Sequence, residues 1–437
     1  MTEDSEQGCV AEGRNDSSRR TPASLRDIRR SCSLPVLGAG ATGVLFSATG
    51  PVAVILGAAA AGGLTGSQTA SWIFGVFTLN GVLTVVMSWL YRMPLAFFWT
   101  IPGTVLVGQA LASLTWPEVV GAYIVTGVLI AVLGATGLVA TVMKVLPPPV
   151  VMAMVAGAFL SFGTGLVESV TSDVTVAGSM VLAWILVSRS GRWSRRVPPV
   201  LGALLAGLVV LSVTNGFVST DASGLSAAGL PHLVMPVFTW SACTQLVIPL
   251  AITVIAVQNG QGVAVLRAAG HNPPVTTVTV LCGVWSVLVA PLGAVSTCLA
   301  GPTNALLTAV GRREQQYVSG LVCGALAIVV GLAAPALVRG LVSVPTTFVA
   351  ALAGLAMLDA LRGAFVAAFG GATDRASTRP ALAPLVTLLV TVSGVQIAGM
   401  GAPFWALLSG VVVAFVLDKP GHYTSTRTSP RPSTTSR

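Results

Sequence analysis

Two apolar stretches of this sequence are each broken by proline and glycine, and hydroxyl and amide side chains flank both breaks. The first, YRMPLAFFWTIPGTVLVG over 91–108, carries Pro94 and the pair Pro102-Gly103. The second, APLGAVSTCLAGPTNALL over 290–307, carries Pro291, Gly293 and the pair Gly301-Pro302. Proline removes a backbone donor and obstructs the preceding turn, yet it is favoured at the first position of a helix. Each stretch therefore reads as a short extended segment, 96–100 and 294–299, followed by a half-helix starting near Pro102 and Pro302. A helix start offers unsatisfied N–H groups and about half a positive charge. Two starts facing one cavity approximate one unit of charge, and no Lys or Arg lies inside a predicted span near either break. The chemistry on offer is recognition of a monoanion with an apolar body, or of a neutral polar molecule; a divalent anion would be under-compensated. The candidate contacts are Phe98, Thr100, Gly103 and Thr104 from the first break, and Thr297, Thr303 and Asn304 from the second, with Ser296 beside them. Strand alternation should send Phe98 and Thr100 to one side, and Phe97 and Trp99 to the other.

A third polar group lies in IPLAITVIAVQNGQGVAVLRAAG over 248–270, where Gln258, Asn259 and Gln261 fall within four residues of an otherwise apolar helix. An amide in such surroundings costs free energy unless it is hydrogen-bonded. It can glue helices together or meet a ligand, and ligand contact is the expectation here. The offset between the two halves of the chain sets Gln258 level with Pro51, which brings Thr49 to the same depth. Acids are scarce. Asp359 is the candidate proton-coupling group, although it can equally pair with Arg362 one turn on. Glu118 and Glu168 fall at helix ends and His271 in a loop, where solvent contact is expected. With six scattered cysteines, three histidines and no HExxH or acid-rich cluster, there is nothing to build an enzyme, a metal centre or a cofactor site from.

These residues need a membrane to position them. The chain has 437 residues, 54% hydrophobic and 8% charged, against about 25% charged in soluble domains. A crossing helix needs about 20 apolar residues. Punctuation at Pro, Gly and charges gives fourteen segments: 33–61, 68–90, 94–113, 118–142, 148–167, 174–189, 198–216, 241–266, 274–290, 292–310, 316–338, 343–361, 379–397 and 402–418. The expected class is an all-α membrane protein of fourteen transmembrane segments, with the third and tenth broken. An even count puts both termini on one side. Of the 23 Lys and Arg residues, all but Arg339 then fall on that side, which the positive-inside rule makes the cytoplasm. The net charge of +9 is thus topological and not a nucleic-acid footprint. Residues 1–32 lack the apolar core of a cleavable signal. They and residues 419–437 read as disordered cytoplasmic tails, with contact between the Arg19–Arg30 cluster and anionic lipid as a secondary reading.

The halves resemble each other. LPPPVVMAMVAGAFL at 146–160 matches VSVPTTFVAALAGLAML at 342–358, each with a proline (Pro148, Pro345) nine residues before a glycine (Gly157, Gly354). The stretch from Gly63 to Val76 likewise shadows Gly270 to Val284. Seven spans per half, over 33–217 and 236–418, make the second repeat inverted relative to the first. Inverted repeats with broken helices hold their ligand near the membrane midplane, between the half-helices.

Several of these motifs carry a family resemblance. YRMP at 91–94 with W-T-x-P-G at 99–103, MPVF at 235–238, QN at 258–259 with VLRAAG at 265–270, and SGVQIAGMGAPFWALLSG at 393–410 resemble the benzoate:proton symporter family, BenE, over residues 35–418. The resemblance implies seven plus seven inverted spans, a fold shared distantly with nucleobase permeases and anion exchangers. It also implies a core of spans 1–4 and 8–11 moving against a gate of spans 5–7 and 12–14. The expected function is secondary active transport in the bacterial inner membrane: proton-coupled uptake of benzoate or a related aromatic monocarboxylate by alternating access. The expected partners are a small anion, a proton and the lipid bilayer, with no nucleic acid and a homodimer left open. The alternative is an anion exchanger or nucleobase-type permease on the same fold. Nucleobase permeases carry acids in the eighth and tenth spans, where this chain has Val257 and Pro302, which disfavours that chemistry.

Overall fold

The computed structural model describes residues 22–139, 146–190, 199–214, 216, 231–370, 382–395, 397 and 402–417. The C-terminal tail and the loop basics Lys144, Arg192, Arg195, Arg196, Arg375 and Arg379 lie outside the described residues. Residues 1–21 of the disordered tail expected over 1–32 also lie outside the described residues, and the described end of that tail departs from the expectation. That end is a helix, α1 (Leu25–Ser31). Ser24 and Asp27 form a capping box that satisfies the first-turn amides of α1 from both directions.

Long apolar helices dominate the rest. They are α2 (Leu34–Ala61), α3 (Gly66–Tyr91), the strand β1 (Phe97–Trp99) and half-helix α4 (Ile101–Ala110), α5 (Trp116–Thr136), α6 (Pro148–Ser172), α7 (Val176–Arg189) and α8 (Pro199–Val213). The second half repeats the series as α9 (Trp240–Ala268), α10 (Val275–Leu292), β2 (Thr297–Leu299), α11 (Gly301–Thr308), α12 (Arg313–Leu332), a short α13 (Ala334–Val342), α14 (Thr346–Phe369), α15 (Leu382–Ser393) and α16 (Ala402–Val416). Eight helices are long and apolar enough to cross a membrane: α2, α3, α5, α6, α9, α10, α12 and α14. Four apolar helices are shorter: α7, α8, α15 and α16.

The helices sort into two packed groups. In one, α12 lies against α2 and α3, and α10 lies against α5. In the other, α14 lies along α6, α7 pairs with α8, and α15 pairs with α16 and α6. The groups meet where α14 crosses α2 and α4 touches α6. Backbones come close because glycine faces glycine. A Cβ on Gly81 of α3 would stand 2.8 Å from the Gly324 carbonyl of α12, and one on Gly127 of α5 would stand 2.8 Å from the Gly283 carbonyl of α10. Such approaches replace the hydrophobic drive that lipid does not supply.

The two strands meet at the centre of the first group and pair antiparallel. Phe97 faces Leu299, Phe98 faces Cys298 and Trp99 faces Thr297. The pairing continues at both ends, with Thr100 N–H donating to the Ser296 carbonyl (3.2 Å) and Ala300 N–H to the Ala96 carbonyl (3.0 Å). Exchanging the two strands leaves this pattern unchanged, so a local two-fold axis passes through the Phe98–Cys298 pair. The strands lie inside the extended segments expected at 96–100 and 294–299. Gly293, at φ +76°, turns the chain into the second strand, a conformation that glycine adopts without a Cβ penalty.

Candidate functional site

The half-helices start on either side of the paired strands, but their first turns are closed differently. At α4 the Thr100 hydroxyl accepts the Gly103 N–H at 3.1 Å, and Pro102 has no N–H. One orphan amide of that turn is thereby satisfied by the chain itself. At α11 the capping position is Ala300, which has no side-chain acceptor, and Pro302 again occupies the first turn. The Gly301 and Thr303 amides therefore keep their capacity for an outside acceptor. The start of α11 is the more open helix N-terminus of the two.

That start faces a narrow cavity, with about 10 Å³ open to the centre of a water molecule, lined by Phe46, Ser47 and Pro51 of α2, Phe98 and Trp99 of β1, Ile101, Gln258 of α9, and Ala300, Pro302 and Thr303. None of these residues is charged. The open volume is room for about one water and far below the usual range for ligand pockets, about 300 to 1,000 Å³, so the site is closed in this conformation and a solute enters only when it opens. Phe77, from a π-turn of α3 (Gly75–Leu79), packs edge-on against Phe98 and Trp99 with ring centroids 5.9 and 5.1 Å away. Together these rings fix the aromatic wall. Gln258 lies in a π-turn of α9 spanning Thr253–Asn259, a distortion often found at functional positions. Its side-chain oxygen is buried without a hydrogen-bond partner, as is the Trp99 indole nitrogen. Orphaned polar groups at a cavity wall leave one donor and one acceptor for something that enters it.

Of the residues singled out from sequence, Phe98, Gln258 and Thr303 meet in this cavity. Thr303 holds Ser47 at 3.3 Å between hydroxyls, across to α2. Others lie close by but hold the scaffold. Thr100 caps α4 and donates to Thr253 of α9 at 3.0 Å, while Thr104 bonds back to the Thr100 carbonyl. Gly103 leaves room for Thr100 and Leu250, because a Cβ there would stand 2.8 Å from Leu250. Thr297 donates to Asn80 at 2.9 Å. The Asn259 side-chain oxygen accepts the Leu299 N–H at 2.7 Å, which ties α9 to β2. Asn304 brackets Ala96, accepting its N–H at 3.1 Å and donating to its carbonyl at 3.2 Å.

Some expected positions differ. Trp99 lines the cavity with Phe98, whereas Phe97 packs into a separate cluster with Leu83 and Ile255. Two-fold alternation does not survive to the last residue of a three-residue strand. Thr49 bonds to Leu45 and Phe46 of its own helix, and Gln261 lies exposed, packed against Gly301. Asp359 lies outside the cavity, exposed and 3.3 Å from Arg362. His271, expected at the surface, is buried and its Nε2 lies 2.8 Å from the Gln316 side-chain oxygen. Gln316 in turn donates to the Thr308 carbonyl at the end of α11, so its oxygen faces the ring and the histidine carries its hydrogen on Nε2. Burial lowers the His271 pKa, the Gln316 bond raises it, and the nearby Arg313 lowers it; the net direction is down. Phe46, Ser47 and Phe77 were not read from sequence, where nothing marks one small or aromatic residue of an apolar helix above its neighbours.

A larger cleft of about 390 Å³ opens beside the far end of α4, lined by Gln109, Ser161 and Thr164 of α6, Gln245 of α9, Thr391 of α15 and Pro403 of α16. It lies between the two helix groups.

Comparison with known proteins agrees with this architecture. A family profile described as "Benzoate membrane transport protein", BenE, matches residues 30–416. Inner membrane protein YdcO of Escherichia coli (strain K12) is 31% identical over 390 residues, covering 88% of this chain and 96% of that protein. The benzoate membrane transport protein of Acinetobacter baylyi is 28% identical over 402 residues, covering 91% and 98%. Among solved structures, the transmembrane domain of the cyanobacterial bicarbonate transporter BicA aligns with TM-score 0.57 at 16% identity, covering 91% of this chain and all of that domain. SLC26A9 aligns with TM-score 0.62 at 13% identity, covering 90% of this chain and 66% of that one.

Proposed function

This chain belongs to the BenE family of benzoate membrane transport proteins, and on that premise we propose that it takes up benzoate or a related aromatic monocarboxylate together with a proton, by alternating access. Family membership makes it a multi-pass inner-membrane transporter and not an enzyme. The observation that carries the substrate reading is the cavity at the start of α11. There an uncapped helix N-terminus, the orphaned Gln258 oxygen and Trp99 nitrogen, and the Phe98 ring surround one small uncharged space. A carboxylate accepts from the Gly301 and Thr303 amides and from the Gln258 amide, which presents NH₂ after rotation. The ring of the ligand lies against Phe98 and Trp99.

The finer architecture in this proposal is fourteen spans in two inverted repeats of seven. The eight long helices, the four shorter ones and the two strand-plus-half-helix units support that reading. The two-fold pattern of strand pairing supports the inversion. Broken backbone at membrane depth is tolerated where it lines a cavity. The group holding the strands is the core, over spans 1–4 and 8–11, and the group around α6 and α14 is the gate. The repeats run over 33–217 and 236–418. Both termini lie in the cytoplasm, and the large cleft at the far end of α4 is then the outward route. A homodimer is compatible with this arrangement.

A second reading is anion exchange on the same fold. What favours it is the exposure of Asp359, which leaves no acid in the cavity wall among the described residues. Proteoliposomes loaded with buffer alone separate the two. Symport predicts benzoate accumulation driven by an inward proton gradient and competed by substituted benzoates. Exchange predicts uptake only when the lumen holds a counter-anion. Absence of benzoate binding, with uracil, bicarbonate or sulfate bound instead, would overturn the substrate assignment.

A further inference from the structure

Helix α1 is docked with care for so short a segment. The Asp27 carboxylate receives the Ser24 N–H at 3.1 Å and the Arg92 guanidinium at 2.7 Å. Ala23 exchanges contacts with Trp89, donating its N–H to the Trp89 carbonyl at 3.3 Å and accepting the indole N–H at 2.8 Å. Arg92 also donates to the Pro22 carbonyl at 3.3 Å. Ala23 is buried with Val36, Tyr317 and Val318, and Ile28 packs against them. The helix thus rests on the turn that leads from α3 into β1 and on the start of α12.

Docking this way uses one face of α1, that of Asp27, Ile28 and Ser31. The opposite face presents Leu25, Arg26, Arg29 and Arg30, all exposed, with Leu25 85% so. The only acid in α1 is Asp27, turned inward to Arg92, so the three outward arginines have no described carboxylate as ion-pair partner. Immediately after the helix, α2 begins with Leu34, 84% exposed, and continues along an exposed apolar edge through Leu37 and Leu45. That edge suits the acyl chains. The arginines therefore stand at the level where acyl chains give way to headgroups, beside an apolar residue that dips toward them.

We propose that the outer face of α1 is a binding surface for anionic phospholipid headgroups, which hold the turn before β1 against the membrane surface. Basic side chains near an anionic leaflet contribute favourably one by one. Arginine suits a phosphate by its planar fork of donors. Because α1 grips Trp89 and Arg92, lipid bound to it also braces the group of helices that carries the cavity. The inference concerns lipid and not the transported solute, so it does not depend on the substrate reading.

The test uses the full chain in detergent, with phosphatidylglycerol or phosphatidylcholine added back. Native mass spectrometry reads retained lipid and thermal unfolding reads the brace. Wild type should retain phosphatidylglycerol in preference to phosphatidylcholine and unfold at a higher temperature with it. The triple variant R26Q/R29Q/R30Q should lose between about tenfold and about 100-fold in phosphatidylglycerol affinity, and lose the thermal shift as well. A matched variant, R267Q/R312Q/R313Q, removes three exposed charges from the end of α9 and the approach to α12 and should retain the lipid. Equal losses in both variants would mean diffuse attraction to a basic face and would overturn the proposal. So would wild-type retention in the α1 variant, or an equal thermal shift with inorganic phosphate, which would reassign the surface to small anions.

Discussion

Ala300 is the position at which the proposed anion site can be closed without touching any of the side chains proposed to contact the ligand. Its counterpart in the first half, Thr100, caps its own helix by accepting the Gly103 N–H. Installing the same residue, A300T, supplies a hydroxyl for the Thr303 amide. The helix gains a cap, worth about 1 kcal/mol, while the ligand loses a charge-assisted hydrogen bond of about 1.5 to 3 kcal/mol, or roughly tenfold to 100-fold in affinity. A300D caps as well and adds a like charge. At about 4 Å and an effective dielectric constant near 20, that repulsion is about 4 kcal/mol, so benzoate binding falls by roughly a further 1,000-fold. A300V matches threonine in shape but lacks the oxygen, which separates crowding from capping. Benzoate binding by titration calorimetry and thermal unfolding on the same purified samples give the two readouts. The expected signature is opposite signs in A300T, with weaker binding and unchanged or higher thermal stability, and a smaller effect in A300V. Wild-type affinity in A300D would refute the assignment of the anion to the α11 start, and equal losses in A300T and A300V would reduce the effect to bulk.

Gln258 and Asn259 are adjacent, yet they should fail differently. Q258L should weaken binding about tenfold at unchanged stability, whereas N259A leaves the Leu299 N–H without its acceptor and should cost about 1 to 3 kcal/mol of stability; coincident phenotypes in binding and melting would contradict the division. Asp359, exposed beside Arg362, should be dispensable, so D359N should accumulate substrate under a proton gradient as wild type does, and selective loss of accumulation with exchange retained would restore it as the coupling group. His271 is held neutral chiefly by burial, and its folded pKa lies below the ordinary value near 6.5. Between those two values the unfolded chain binds a proton that the folded chain does not, so stability rises with pH through that window and falls as pH drops below about 6.5. Thermal unfolding from pH 7.5 to 5.5 should show this slope, flattened in H271Q; an unchanged slope would place the acid sensitivity elsewhere.

The sequence made the site legible where chemistry is written into backbone restrictions. Pro94, Pro102, Pro291, Gly293 and Pro302 act on the chain locally, so the extended segments and half-helix starts were readable within a few residues. Polar residues in apolar helices were legible as exceptions but not as roles. Asn304 and Gln258 look alike in sequence, yet one holds Ala96 by both backbone groups and the other keeps an orphaned oxygen at the cavity. The difference is set by which strand lies across from each, a long-range fact. The same limit explains Phe46 and Ser47, ordinary members of α2 that matter only because Thr303 and Pro302 come to lie beside them. His271 was misjudged because loop position ordinarily means solvent. Here the chain turns after Arg267 through Gly270 at φ +83°, which carries the ring inward to Gln316.

A paired, two-fold arrangement of half-helices would, if kept perfect, present two equal half-charges to whatever enters, and a single carboxylate has no reason to choose between them. The chain breaks that symmetry with side chains and leaves the backbone pattern intact. The strands pair as equals, with Thr100 N–H to Ser296 and Ala300 N–H to Ala96. Thr100 then closes its own helix, and Ala300 leaves the other open. Across the axis Asn304 clamps Ala96 by both backbone groups, while Thr104 bonds back within its own turn and the Ser296 hydroxyl remains without a partner. The half-helix that keeps its amides free is thus the one whose first turn is also tied to the opposite strand. An open helix start is only an effective anion site if it does not relax when charged ligand arrives and leaves. The Asn304 clamp supplies that rigidity where it is needed, and it follows that N304A should weaken benzoate binding more than the removal of any one hydroxyl around α4. Titration of N304A against T104V decides this; T104V proving the more damaging would mean that the anion is held at α4 after all.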